Sequence, residues 1–159
     1  RRNSRAADGR WYSNAPAIVK SVRGAEAEAL LPRFEAAIAS YPHAHAGGYR
    51  IWPGPNSNSF VAHVLREVPE FGAVLPPHAV GRDYRPGLFA IDLAPDWSDV
   101  HVTLGGVLGL AAGRLSGFEL HFAGLVAGLD LARPALKLPA LGAVPLRPEA
   151  LAADAAPRP

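Results

Sequence analysis

Apolar residues recur three and four positions apart between residues 24 and 42. In "GAEAEALLPRFEAAIASYPH" Leu30, Phe34, Ile38 and Tyr41 share one helical face, Glu26 and Glu28 suit a first turn, and Pro42 stops the run. Pro32 interrupts the pattern. It predicts a first short turn ending at Leu31 and a fresh helix with Pro32 in its first turn, where the missing N–H costs nothing. A second helical period, Phe60, Val61, Val64, Leu65 and Val68, follows "WPGPN", whose prolines and glycine exclude helix; this places a helix over 56–67. From residue 100 the period falls to two. Val100, Val102 and Leu104 alternate with His101 and Thr103, and Phe118, Leu120 and Phe122 alternate with Glu119 and His121. These read as strands, with "AAGRLSG" as a hairpin turn between them and "RPALKLP" as a last short edge strand. The expected class is α+β: short N-terminal helices, a central helix after a Pro/Gly turn, and a C-terminal Gly-rich antiparallel sheet.

Between the central helix and the sheet, "EVPEFGAVLPPHAVGRDYRPGLF" reads as a proline-fixed connection with one helical turn at 78–81. Near the start, "DGRWY" reads as a turn into a short strand. Residues 1–144 form one expected domain, and 145–159, rich in Ala and Pro, a disordered tail. Arg1 is not a methionine, so the domain is expected to be incomplete at its N-terminus. Sixteen prolines and sixteen glycines in 159 residues fit short elements joined by many turns.

Charge narrows the partners. Lys and Arg outnumber Asp and Glu by only 16 to 14, and no basic stripe interleaved with aromatics appears, so nucleic acid is not an expected partner. The absence of cysteine excludes disulfides, a thiol nucleophile and Cys-containing metal sites. No apolar run reaches the roughly 20 residues of a spanning helix.

Candidate chemistry concentrates in "PGPNSNSF". One Asn or Ser suffices to cap the helix, yet Asn56, Ser57, Asn58 and Ser59 stand in a row, which leaves polar side chains for a ligand. A hydroxyl in the first turn of a helix lies in the positive field of its dipole, so Ser57 is the candidate nucleophile, although no Ser-His-Asp order is visible. The candidate ligand-binding residues are Trp52, Asn56, Asn58 and Ser59, with Asp83 and Tyr84 of "GRDY" as the opposite wall. Trp11 reads as a core or rim aromatic. His43 and His45 form an H-x-H pair without a third ligand, His63 lies on a helix flank, and His101 and His121 read as sheet surface. No metal or cofactor is expected.

The stretches "YRIWPGPNSNSFVAHVLREVPE", "LPPHAVGRDY" and "LARPALKLP" together resemble a bacterial family labelled "domain of unknown function 3750", over roughly residues 10–142. Its members carry an N-terminal hydrophobic segment and a further strand-rich half with a His-Thr-Trp motif, neither of which stands in this sequence. The resemblance implies the bacterial envelope, on the periplasmic side of the inner membrane, with any membrane attachment through that missing segment. A second likeness, of the Asn-x-x-x-Phe helix start, is similar to circularly permuted papain-like cell-wall peptidases and acyltransferases, with Ser57 at the position of their cysteine. Two functions follow as expectations. One is an envelope module binding a polar ligand, such as a cell-wall fragment, at the Asn-Ser helix start; the other is a hydrolase or acyltransferase using Ser57.

Overall fold

The computed structural model describes residues 18–85, 87–94, 97–139 and 141–146; "DGRWY", Trp11 and the tail beyond Leu146 lie outside them. Two α-helices are followed by seven strands. Helix α1 is Ala25–Ala39 and α2 is Ser57–Glu67, with a 3-10 turn at Pro69–Phe71. The strands are β1 Phe89–Leu93, β2 Asp99–Leu104, β3 Leu108–Gly113, β4 Gly117–Phe122, β5 Leu125–Asp130, β6 Ala135–Leu138 and β7 Gly142–Pro145. Each pairs antiparallel with the next, giving a seven-stranded meander in chain order. The α+β class expected from the sequence is the observed one.

Several local expectations change. Helix α1 is one continuous element that runs through Pro32, not two short ones. Pro32 deprives the Glu28 carbonyl of its helical partner, but both residues are exposed, so water takes the place of the missing N–H. The buried side of the same helix, Leu30 and Ala37 with half-buried Phe34, is undisturbed, and Ile38 points outward. Residues 78–81 make turns rather than a helical turn, with Ala79 N–H donating to Pro76 O and Arg82 N–H to Ala79 O. "RPALKLP" supplies β6, which is not the last strand, since β7 follows it. Strand β3 stands between the two alternating segments, which therefore do not pair directly.

The helices have their own apolar core. Leu30 and Ala37 of α1 meet Val64 of α2 and Val68 after it, flanked by Val22, Phe34, Phe60 and Phe71. Phe34 and Phe71 meet edge to face at 5.3 Å, and Tyr41 and Phe60 at 5.0 Å.

The sheet is turned the other way from the sequence expectation. Its alternation is as read, but the polar residues face inward and the apolar ones outward. In β4, Glu119 and His121 are 2% and 3% exposed, while Leu120 and Phe122 are 54% and 67% exposed. Thr103, Lys137 and Asp130 are buried on the same polar side, and Ile91, Leu104, Leu110 and Leu125 are exposed on the other. His101 and His121 are accordingly not sheet surface. The cause lies in the connection between α2 and β1, which lays Arg82, Asp83 and Arg85 over the polar face, so that its charges find opposite charges instead of water.

This orientation predicts opposite responses from the two faces. Leu120→Thr is expected to change stability by less than about 0.5 kcal/mol, whereas Val126→Ala, on the inner face with no exposure, is expected to cost about 2 kcal/mol. Urea unfolding of the two variants measures both.

Candidate functional site

The site begins at the start of α2. Asn56 caps the helix, its Oδ1 accepting from the N–H groups of Asn58 (2.9 Å) and Ser59 (3.1 Å), while Ser59 Oγ accepts from Asn56 N–H (3.1 Å). This reciprocal box satisfies the donors that a helix start leaves free. The remaining capacity of these side chains goes to the loop of residues 80–81. Asn56 Nδ2 donates to Ile51 O and Val80 O, Asn58 Nδ2 donates to Val80 O at 2.9 Å, and Ser59 Oγ donates to Gly81 O at 2.6 Å. Gly81 is required there: its φ is 89°, and a Cβ would lie 2.4 Å from Asn56 Nδ2. The clamp fixes where the next residues go.

Arg82, Asp83 and Arg85 leave this clamp buried and pointing at the sheet. Arg82 pairs with Glu119, donates to Leu75 O, and lies 3.5 Å from Asp83. Arg85 pairs with Asp92 of β1 and also donates to Arg82 O and Tyr84 O. Lys137 of β6 reaches across to Glu119 and donates to Ser116 O at 2.7 Å. Burial alone would raise the Glu119 carboxyl, but the contact with His121 and the charges of Arg82 and Lys137 hold it down to about 2.

Two histidines complete the cluster, brought together over β3. His101 stands opposite Ala111 and His121 opposite Gly109. With so little side chain on β3, the rings approach to 4.7 Å between centroids. His121 Nδ1 lies 2.6 Å from Asp83 Oδ1, and His121 Nε2 lies 3.1 Å from Glu119 Oε2. Neither contact is aligned as a hydrogen bond, so both ring nitrogens and Asp83 Oδ2 are buried without a directed partner. Burial disfavours the imidazolium of His121, yet the two carboxylates raise its pKa overall. His101 behaves oppositely. Burial, then the Arg85 charge beside it, push it down to about 4. Arg85 Nη2, which can only donate, lies 3.3 Å from His101 Nδ1, so that nitrogen accepts and the ring proton sits on Nε2, which faces Asp83 Oδ1 at 3.7 Å.

Between α2 and the sheet lies a cavity of about 150 Å³, walled by Leu65 and Arg66 on one side and by Asp83, Arg85, His101 and Glu119 on the other. A neighbouring hollow of about 380 Å³ shares Arg66, Arg85 and His101 and extends toward β1. Arg66 stands out among these groups. Its Nη1 is buried with no hydrogen-bond partner, and no carboxylate among the described residues pairs with it. Burial, then the neighbouring Arg85 charge, lower its pKa to about 10.

The family described as Protein of unknown function (DUF3750) matches residues 1–84. The chain belongs to that family. The match takes in both helices, the clamp and Asp83, and it ends before the sheet; "LARPALKLP" and both cluster histidines lie beyond it. No curated protein matches the chain, and no solved structure matches it.

The residues singled out from sequence are brought together in part. Asn56, Asn58 and Ser59 hold the loop that carries "GRDY", and Asp83 enters the buried cluster and lines the cavity. Tyr84 stays outside that cluster but lies against Gly54 and borders a small hollow with Ser59, its ring 5.7 Å from that of His43. Trp52 donates from Nε1 to Ala123 O at 2.7 Å, tying the proline turn to the β4–β5 hairpin. Ser57 is exposed, and among the described residues its hydroxyl makes no hydrogen bond to a histidine or an acid. The papain-like likeness thus gains no support from its surroundings. Arg66, Arg85, His101, Glu119, His121 and Lys137 went unrecognised as site residues. For the four on strands, the signal was the polar residues at alternate positions of β2, β4 and β6, which becomes informative only once the buried face is known; Arg66 in α2 and Arg85 in the loop carry no such signal.

If the clamp sets the site, its loss is expected to be costly. Asn56→Ala removes a cap worth about 1 kcal/mol and leaves Ile51 O without its donor, for an expected total of about 2 kcal/mol. Gly81→Ala is expected to cost more than about 1 kcal/mol from φ alone. Thermal and urea unfolding check both.

Proposed function

We propose that this domain binds a small anionic ligand, a carboxylate or phosphate ester, in the cavity between α2 and the polar face of the sheet. The observation that carries the reading is Arg66: a guanidinium with a buried, unpartnered nitrogen beside a second guanidinium, Arg85, in a cavity of small-molecule size. Arg82, Arg85 and Lys137 already have carboxylate partners. Arg66 has none among the described residues, and a half-buried cation whose Nη1 is buried and unpartnered is unfavourable. A planar guanidinium matches carboxylate and phosphate oxygens in pairs, and an anion placed between Arg66 and Arg85 removes their mutual repulsion.

This reading keeps a polar ligand but places it behind the Asn-Ser helix start rather than on it. Cell-wall fragments that carry free carboxylates have the required charge. They fit the envelope setting expected from the family resemblance, and location and ligand identity are both part of the proposal. The role is binding; Asp83 and His101 at the cavity wall are the groups any chemistry on the ligand would meet.

Calorimetric titration with inorganic phosphate, succinate and a muropeptide tests it. At least one is expected to bind, and Arg66→Gln is expected to weaken that binding about 10–100-fold, the effect of losing a charge-assisted hydrogen bond of roughly 1.5–3 kcal/mol. Without anion the same variant is expected to be no less stable than the parent, because an uncompensated charge has gone. Failure of all three probes, or equal binding by the variant, would overturn the reading.

A further inference from the structure

The geometry points to a metal site in the same cluster: we propose that Asp83, His101 and His121 bind one divalent first-row transition-metal ion, such as Zn²⁺. The proposal is independent of the anion reading, because neither Arg66 nor Arg85 is a ligand.

Asp83 Oδ1, His101 Nε2 and His121 Nδ1 come from three separate parts of the chain: the clamped loop, β2 and β4. One donor atom from each of the three residues lies within 4.8 Å of those of the other two. Ligands about 2.1 Å from a tetrahedral ion stand about 3.4 Å apart, and the observed 2.6 and 3.7 Å from Asp83 Oδ1 to the two ring nitrogens bracket that spacing. The second observation is that both of these nitrogens are buried and have no hydrogen-bond partner, His121 with its side chain only 3% exposed. Buried ring nitrogens without partners are positions that an ion would satisfy once each carries a lone pair. Two imidazoles and one carboxylate favour Zn²⁺ and its neighbours over Ca²⁺ or Mg²⁺, which prefer oxygen alone.

The surroundings of the three ligands also fit. With Nδ1 on the ion, the other N–H of His121 faces Glu119 Oε2 at 3.1 Å, and a small turn of the ring would align it as the carboxylate contact that usually orients a ligating histidine. Glu119 is held in turn by Arg82 and Lys137. Arg82, Arg85 and Lys137 have Asp83, Asp92 and Glu119 as counter-charges, so the positive charge of an ion falls chiefly on its own ligand Asp83 and on whatever anion enters the cavity beside it. One change is required. The ion needs the Nε2 lone pair of His101, so the ring proton moves to Nδ1 and the Arg85 contact there is released, while Arg85 keeps Asp92 and two backbone carbonyls. Asp83 and His101 both border the cavity, so three protein ligands would leave a further position open toward it.

The test uses the full chain, freed of metal by a chelator and titrated with Zn²⁺ and Co²⁺ in a buffer free of phosphate and carboxylates. One equivalent of Co²⁺ is expected to bind and give visible d–d absorption, and Zn²⁺ is expected to displace it. His101→Ala is expected to weaken Zn²⁺ binding by at least about 100-fold, beyond the roughly 10–100-fold that loss of a group orienting a ligand costs. His45→Ala, in the exposed H-x-H loop, is expected to bind as the parent does. If far-UV circular dichroism shows that His101→Ala does not fold, Asp83→Asn, which keeps the side-chain shape, is held to the same expectation. No protein-dependent Co²⁺ spectrum, or binding that survives at the cluster variants and disappears in His45→Ala, would overturn the proposal.

Discussion

Glu119 sits at the centre of β4 with almost no exposure, and the rest of the molecule is arranged around keeping it charged. A lone carboxylate taken out of water costs several kcal/mol. Here Arg82 from the clamped loop, Lys137 from β6 and His121 from its own strand surround it, which is why its pKa falls despite burial. Each partner comes from a different distance in sequence, so the pairing fixes strand β6, the loop and the face of β4 at once. Glu119 therefore explains how a sheet can carry charges inside: its polar face is an ionic interior covered by an arginine-bearing loop.

The loop reaches that position because of the helix it follows. The Asn56 and Ser59 box both starts α2 and grips Val80 and Gly81, so the same few side chains that end one turn set the direction of Arg82 and Asp83. The helix pair supplies its own apolar core and does not need the sheet for it. Two kinds of interior meet at this loop, an aliphatic one between the helices and an ionic one on the sheet. The cavity lies at their junction, lined by Leu65, by Glu119 and by Arg66, whose Nη1 has no partner among the described residues.

Much of the architecture was legible in the sequence. The alternation of Phe118, Leu120 and Phe122 with Glu119 and His121 gives β4 directly, and "PGPNSNSF" gives the start of α2 to within a residue or so, with Asn56 proving to be its cap. Periodicity does not say which face is buried. The usual assumption, apolar inside, fails here because the charges that neutralise the polar face lie in a connection 37 residues from Glu119 in the case of Arg82. The surplus of Asn and Ser was visible, but the carbonyls of Val80 and Gly81 that take up its hydrogen bonds are 22 to 24 residues away. Pro32 misled for a simpler reason: a proline on the solvent side of a helix loses a bond that water replaces. The cluster histidines were each seen, on the correct strands, and it took the inward face and the small residues Gly109 and Ala111 of β3 to make them neighbours.

Because the chain has no cysteine, one introduced thiol at a time can report which face of the sheet is interior. Leu110 and Ala111 are adjacent in β3 and point to opposite faces, 42% and 1% exposed. The rate at which a charged thiol reagent labels Leu110→Cys and Ala111→Cys in the folded protein is the direct measurement. An ionic interior requires fast labelling at 110 and strong protection at 111, both lost in denaturant. Protection at 110 with fast labelling at 111 would mean that the apolar face is the buried one, and the charge cluster around Glu119 would lie open to solvent.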